Sequence, residues 1–144
     1  MRKTTKLCAL LLAVLLLFSA ALPAAATPRE ISVLLHGEPL TFDVAPRIVN
    51  NRTMVPVRAV FEALGAEVVW HGQTETVTAD TADGDTITLT IGSRALYVNE
   101  TAVEMDIAPF VTGGRTLAPV RFIAEALGAQ VTWVEDSQAV YITR

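Results

Sequence analysis

Cysteine is almost missing from this chain, and lysine does not occur after residue 6. The only cysteine, Cys8, stands at the start of an apolar run, whereas a lipid-anchor cysteine would follow one. The rest of the chain therefore has no disulfide, no thiol nucleophile and no thiolate metal site. Histidine is nearly as scarce: His36 and His71 are the only two, and each precedes or begins a turn pattern. A Gly-x-Ser-x-Gly elbow, a phosphate-binding loop and a His-Glu-x-x-His pair are all lacking. A Ser-His-Asp triad would have to recruit those turn histidines and one of Ser32, Ser93 or Ser137. No catalytic, cofactor-binding or metal-ligating residue is assigned, and the chain is read as not an enzyme.

Long apolar runs are scarce too. The single one, Leu7 to Phe18, follows Arg2, Lys3 and Lys6 and precedes Ala24, Ala25 and Ala26. A basic start, an apolar middle and small residues at the end make a secretory signal peptide, with cleavage expected after Ala26. The run is shorter than the ~20 residues of a membrane-spanning helix. No second run follows, so no membrane anchor is expected after cleavage. Removing residues 1–26 takes away three basic residues and no acidic ones. Eight arginines then face fifteen Asp and Glu, a net charge of −7 against −4 for the whole chain. That balance argues against nucleic acid, whose phosphates need a basic surface, and against an electrostatic grip on anionic lipid. The remaining 118 residues, 27–144, suffice for one core. The expected location is secreted or extracellular, with cell-wall association open.

What is present is a phrase written twice. "RTMVPVRAVFEALGAEVVW" from Arg52 recurs as "RTLAPVRFIAEALGAQVTW" from Arg115, 63 residues on, without a gap. Upstream, "FDVAP" meets "MDIAP" in the same register. Such self-similarity indicates repeats, here 31–93 and 94–144. In each copy the pattern switches from strand to helix and back. Val57, Val60, Phe61 and Leu64 fall on one helix face, as do Val120, Ile123 and Leu127. Pro56 and Pro119 suit the first helical position, and Gly65 and Gly128 suit a left-handed stop. Phe61 is exchanged for Ala124 and Ala59 for Phe122, which reads as bulk moved within a core of conserved volume. The expected fold is α+β: two tandem ββ-α-ββ-type repeats, mostly antiparallel sheet, with one short helix packed per repeat. The first copy gains an extra hairpin at "TADGDTITLTIG", turning at Asp83-Gly84.

With these motifs the chain resembles the copper amine oxidase N-terminal domain-like family, or stalk domains. The resemblance rests on "NNRTMVPVR" and "GGRTLAPVR", the two "EALGA" helix ends and the two Val-x-Trp strands, and covers essentially all of 27–144. It implies a non-catalytic module of exported bacterial proteins, found beside cell-wall or surface domains. In the oxidase, copper and quinone belong to another, larger domain. His36-Gly37 and Asn99-Glu100 stand where the family favours Asn-Gly, which affects turn geometry.

The recurring residues Pro56, Arg58, Glu62, Gly65, Trp70, Pro119, Arg121, Glu125, Gly128 and Trp133 form the repeat signature. Arg58–Glu62 and Arg121–Glu125 are i,i+4 pairs in the weaker, Arg-first order. The arginines are expected to reach back to carbonyls or to Asp43 and Asp106, clamping the loop before each helix. Trp70 and Trp133 are expected under the helices; exposed, they would suit stacking on sugar rings. Asp80, Asp83 and Asp85 gather around one hairpin, but without the EF-hand spacing. The leading function is a structural or interaction module of the cell envelope, its partner a cell-wall polymer or envelope protein. A wall-polysaccharide binder using exposed aromatics is the alternative, and a small hydrolase or metal-dependent enzyme is less favoured. Oligomeric state stays open.

Overall fold

A computed structural model describes residues 30–144; the signal-peptide reading of 1–26 lies outside them. Among the described residues thirteen strands and two helices follow one another. The first half contains β1 (Ser32–Leu35), β2 (Glu38–Pro39), β3 (Arg47–Val49), β4 (Arg52–Pro56), α1 (Val57–Ala63), β5 (Glu67–His71), β6 (Thr76–Asp80) and β7 (Thr86–Thr90). The second contains β8 (Ala95–Val98), β9 (Thr101–Glu104), β10 (Phe110–Thr112), β11 (Arg115–Pro119), α2 (Val120–Ala126), β12 (Gln130–Val134) and β13 (Ala139–Thr143). The described residues form an α+β fold, mostly antiparallel sheet with two short helices.

Each half has one hairpin more than the periodicity suggested. The segments entering the helices are the second strands of β3–β4 and β10–β11. Their two-residue turns, Asn50-Asn51 and Gly113-Gly114, have φ values of 46°, 64°, 56° and 74°. Positive φ at both positions matches the right-handed strand twist, and Asn and Gly tolerate it best. The His36-Gly37 turn also takes positive φ twice, 50° and 81°. At the matching turn only Asn99 does, at 55°. Its side chain instead accepts from Thr86 N at 3.0 Å and donates to Asp85 at 2.9 Å, pinning the start of β7.

Both helices run seven residues, too short to stand without tertiary packing. Pro56 and Pro119 sit one residue earlier than expected, at the N-cap with φ of −58° and −60°, so Val57 and Val120 open the helices. At the other end Gly65 N donates to Glu62 O at 3.0 Å and Ala66 N to Phe61 O at 2.9 Å. The same two bonds recur at Gly128 and Ala129, at 2.9 and 3.0 Å. This is a Schellman stop, which needs the left-handed residue supplied by Gly65 (φ +86°) and Gly128 (φ +79°). The Arg144 guanidinium donates to Leu64 O at 3.0 Å, capping α1 with a cation from the far end of the chain.

Three sheets result: β12-β13-β1-β2, β10-β11-β4-β3 and β5-β6-β7-β8-β9. They do not follow the halves. In the central sheet β4 pairs antiparallel with β11, and Val55 lies opposite Ala118, its own counterpart. In one outer sheet β1 from the first half runs parallel to β13 from the second. In the other, β8–β9 from the second half joins β6 through the intervening β7. Each half therefore lends its leading hairpin to the other, and neither closes its outer sheet alone. One core joins them, with Val60, Phe61, Ile123, Ala124, Ile87, Leu96 and Ile142 fully buried. Phe61 and Phe122 are not buried alike: Phe61 is fully inside, while Phe122 is half-buried and packs against the core from its edge. Among the described residues no helix is long and apolar enough to cross a membrane.

Candidate functional site

Where the halves cross, each outer sheet leaves a groove against the central one. Groove A, about 390 Å³, is walled by the start of α1 (Pro56, Val57, Arg58) and the inward faces of β5 and β6 (Val68, Trp70, Val77). The β10–β11 hairpin supplies the facing wall through Val111, Gly114, Arg115 and Thr116. Groove B, about 430 Å³, repeats this with Pro119, Val120, Arg121, Val131, Trp133 and Val140 against Ile48, Asn51, Arg52 and Thr53 of the β3–β4 hairpin. All ten residues of groove A have a counterpart in groove B at the 63-residue offset. Groove B adds Phe122, Glu135 and Asp106, whose counterparts are Ala59, Gly72 and Asp43.

Of the two tryptophans, Trp70 departs from the expected semi-buried packing and Trp133 meets it. Trp70 is 43% exposed and lies on the face of edge strand β5 that borders the groove. Trp133 is half-buried against the core, and its indole N–H donates to Glu135 at 2.7 Å. Gly72 stands at the position of Glu135; a Cβ there would meet Trp70 Nε1 at 3.5 Å. The first half therefore keeps an uncovered indole, and the second ties its own down.

The clamping arginines are also different from those expected. Arg58 and Arg121 stay on their helices, 3.4 and 3.6 Å from Glu62 and Glu125 and about half exposed. Exposed pairs of this kind contribute little. Asp43 and Asp106 are held instead by Arg115 and Arg52. Arg115 Nε donates to Asp43 at 2.8 Å, its Nη2 reaches the same carboxylate, and Arg52 Nε donates to Asp106 at 2.5 Å. Both pairs cross between the halves. Hydrogen bonding to Arg115, helped by its charge, holds the Asp43 carboxyl below the usual carboxylate range, and the same bond raises the Arg115 pKa. The signal was present in the repeated Arg-Thr and Phe/Met-Asp pairs; the i,i+4 helix neighbours offered a nearer partner and masked it.

Copper chemistry finds no support in the side chains that are present. His71 Nε2 lies 2.9 Å from Thr78 Oγ1, His36 sits in the β1–β2 turn, and neither groove is lined by a histidine. Among the described residues no three His, Cys, Asp or Glu side chains gather as metal ligands. Asp80, Asp83 and Asp85 split three ways, to Thr86, Arg144 and Asn99.

Among known families, the model of the copper amine oxidase N-terminal domain matches residues 34–142. The chain belongs to this family. A search of curated proteins found no match. The N-terminal domain of a copper amine oxidase is an accessory, non-catalytic domain, and the misfit of the histidines to copper agrees with that role. In this member of the copper amine oxidase N-terminal domain family, the two grooves are open to solvent and the wall of groove A carries an exposed indole, Trp70.

Proposed function

We propose that the chain is an exported stalk-like module of the bacterial cell envelope, acting by surface contact with a wall polymer or an envelope protein and not by catalysis. The supporting observation is the use of its charged side chains. The carboxylates near a groove are taken up in arginine pairs or hydrogen bonds, which steady the frame and leave no poised acid–base set. We read the two halves as copies of one unit, because every strand and helix of the second has its counterpart at one offset. Residues 1–26 supply the export signal. The test is capture of the purified protein on isolated cell wall and on immobilised envelope proteins. Retention on either supports contact; retention on neither leaves only a passive spacer and overturns it.

Polysaccharide binding is a second reading, favoured by one observation: Trp70 is 43% exposed on a groove wall. Buried under α1, it would have had no face to offer.

A further inference from the structure

We infer that groove A is a saccharide site, in which Trp70 stacks on the apolar face of an uncharged sugar ring and the Arg58 and Arg115 side chains bind its hydroxyls. This rests on the polysaccharide reading and narrows it to one groove and one ligand class. The geometry carries it in three steps. First, the indole is a flat apolar face on the wall of a cavity of about 390 Å³, within the roughly 300–1,000 Å³ of ligand pockets lined by apolar walls and a few placed polar groups. Second, both arginines on that wall already have carboxylate partners, Glu62 and Asp43. A hydroxyl both donates and accepts, so it can bind to either member of such a pair without breaking it. An anionic ligand would meet the repulsion of those two carboxylates at close range and approach a chain of net charge −7 after signal removal. Third, Val68, Trp70 and Val77 line the groove with the inward face of their sheet. An added peptide strand would extend the sheet in its plane, beyond β5, and not over that face.

Groove B is the weaker counterpart. Its indole is half-buried and bonded to Glu135, and Asp106 and Glu135 bring carboxylates onto its wall.

The two tryptophans give two separate indole N–H resonances. The purified protein is titrated with chitohexaose and cellohexaose, with an oligogalacturonate as the anionic control. The expected result is a saturable shift of the Trp70 indole with a neutral oligomer, a smaller one at Trp133, and none with the anion. Trp70→Ala should weaken binding about tenfold or more, as truncating a central tryptophan contact does. Trp70→Phe should keep part of it, with an unchanged Trp133 resonance reporting an intact fold. Preference for the anion, or equal affinity of Trp70→Ala, overturns the inference. Retention on isolated cell wall separates the two levels: wall binding that survives Trp70→Ala removes groove A and leaves the broader reading standing. Absence of any saccharide or wall binding removes both.

Discussion

Groove A and groove B are built on the same frame and finished differently. The frame positions agree residue for residue: the N-cap prolines, the C′ glycines, and the crossed pairs Arg52–Asp106 and Arg115–Asp43. The finishing positions do not: Gly72 against Glu135, Ala59 against Phe122, Asn50-Asn51 against Gly113-Gly114. Identity is kept at the helix boundaries and where the halves hold each other, whereas the residues of the hairpin turns vary. Differences fall on the groove walls and also in the core, where Phe61 stands against Ala124. A repeated residue is thus evidence about the frame, and the search for function belongs at the departures.

The comparison breaks most visibly in the core. Phe61→Ala should cost about 3–5 kcal/mol, because Phe61 is fully buried and its counterpart is already alanine. Phe122→Ala should cost clearly less, since its ring is only half-buried, at the wall of groove B. Urea unfolding of both variants checks the order; equal losses would mean the halves pack alike.

Next come the helix stops. A Cβ at Gly65 or Gly128 meets no atom within 4 Å, so only the positive φ opposes a side chain. Each Gly→Ala change should then cost about 1–2 kcal/mol, and the two should agree closely. A large difference would separate the halves at the level of the frame.

The Arg115–Asp43 pair should act through pH. The folded Asp43 pKa lies below its ordinary value, so the pair's contribution is present above that value and is lost as pH falls through the folded one. Arg115→Ala should lower the urea midpoint at pH 7, and the gap to the unaltered protein should close in strong acid. A gap that persists there would assign the effect to lost packing of the arginine stem.

The smallest effect sharpens the contrast itself. Glu135→Ala removes the acceptor of the Trp133 indole. The Trp133 N–H resonance should move and exchange faster with water, with a stability change of at most about 1 kcal/mol. An unmoved resonance would mean that Glu135 does not hold the ring.

Much of the frame could be read from local pattern. Proline before and glycine after an apolar i, i+3, i+4, i+7 stripe marked both helices within a residue. What escaped was non-local. Strand pairing between distant segments leaves no period in the sequence, so the exchange of leading hairpins could not be inferred from the repeat. The β3–β4 hairpin was missed because three-residue strands are too short to alternate visibly; its sign was the Asn-Asn turn, matched by Gly-Gly. Alternation correctly put Trp70 with Val68 on the inward face. It could not show that this face runs past the helix at an edge strand, and so leaves the indole uncovered.

The most direct test of the unequal grooves uses two single-tryptophan proteins. Trp133→Phe leaves only Trp70, and Trp70→Phe leaves only Trp133. Acrylamide quenching should be clearly stronger when Trp70 is the emitter, because its indole is open and the other is half-buried and tied. Equal quenching, or stronger quenching of Trp133, would contradict the account.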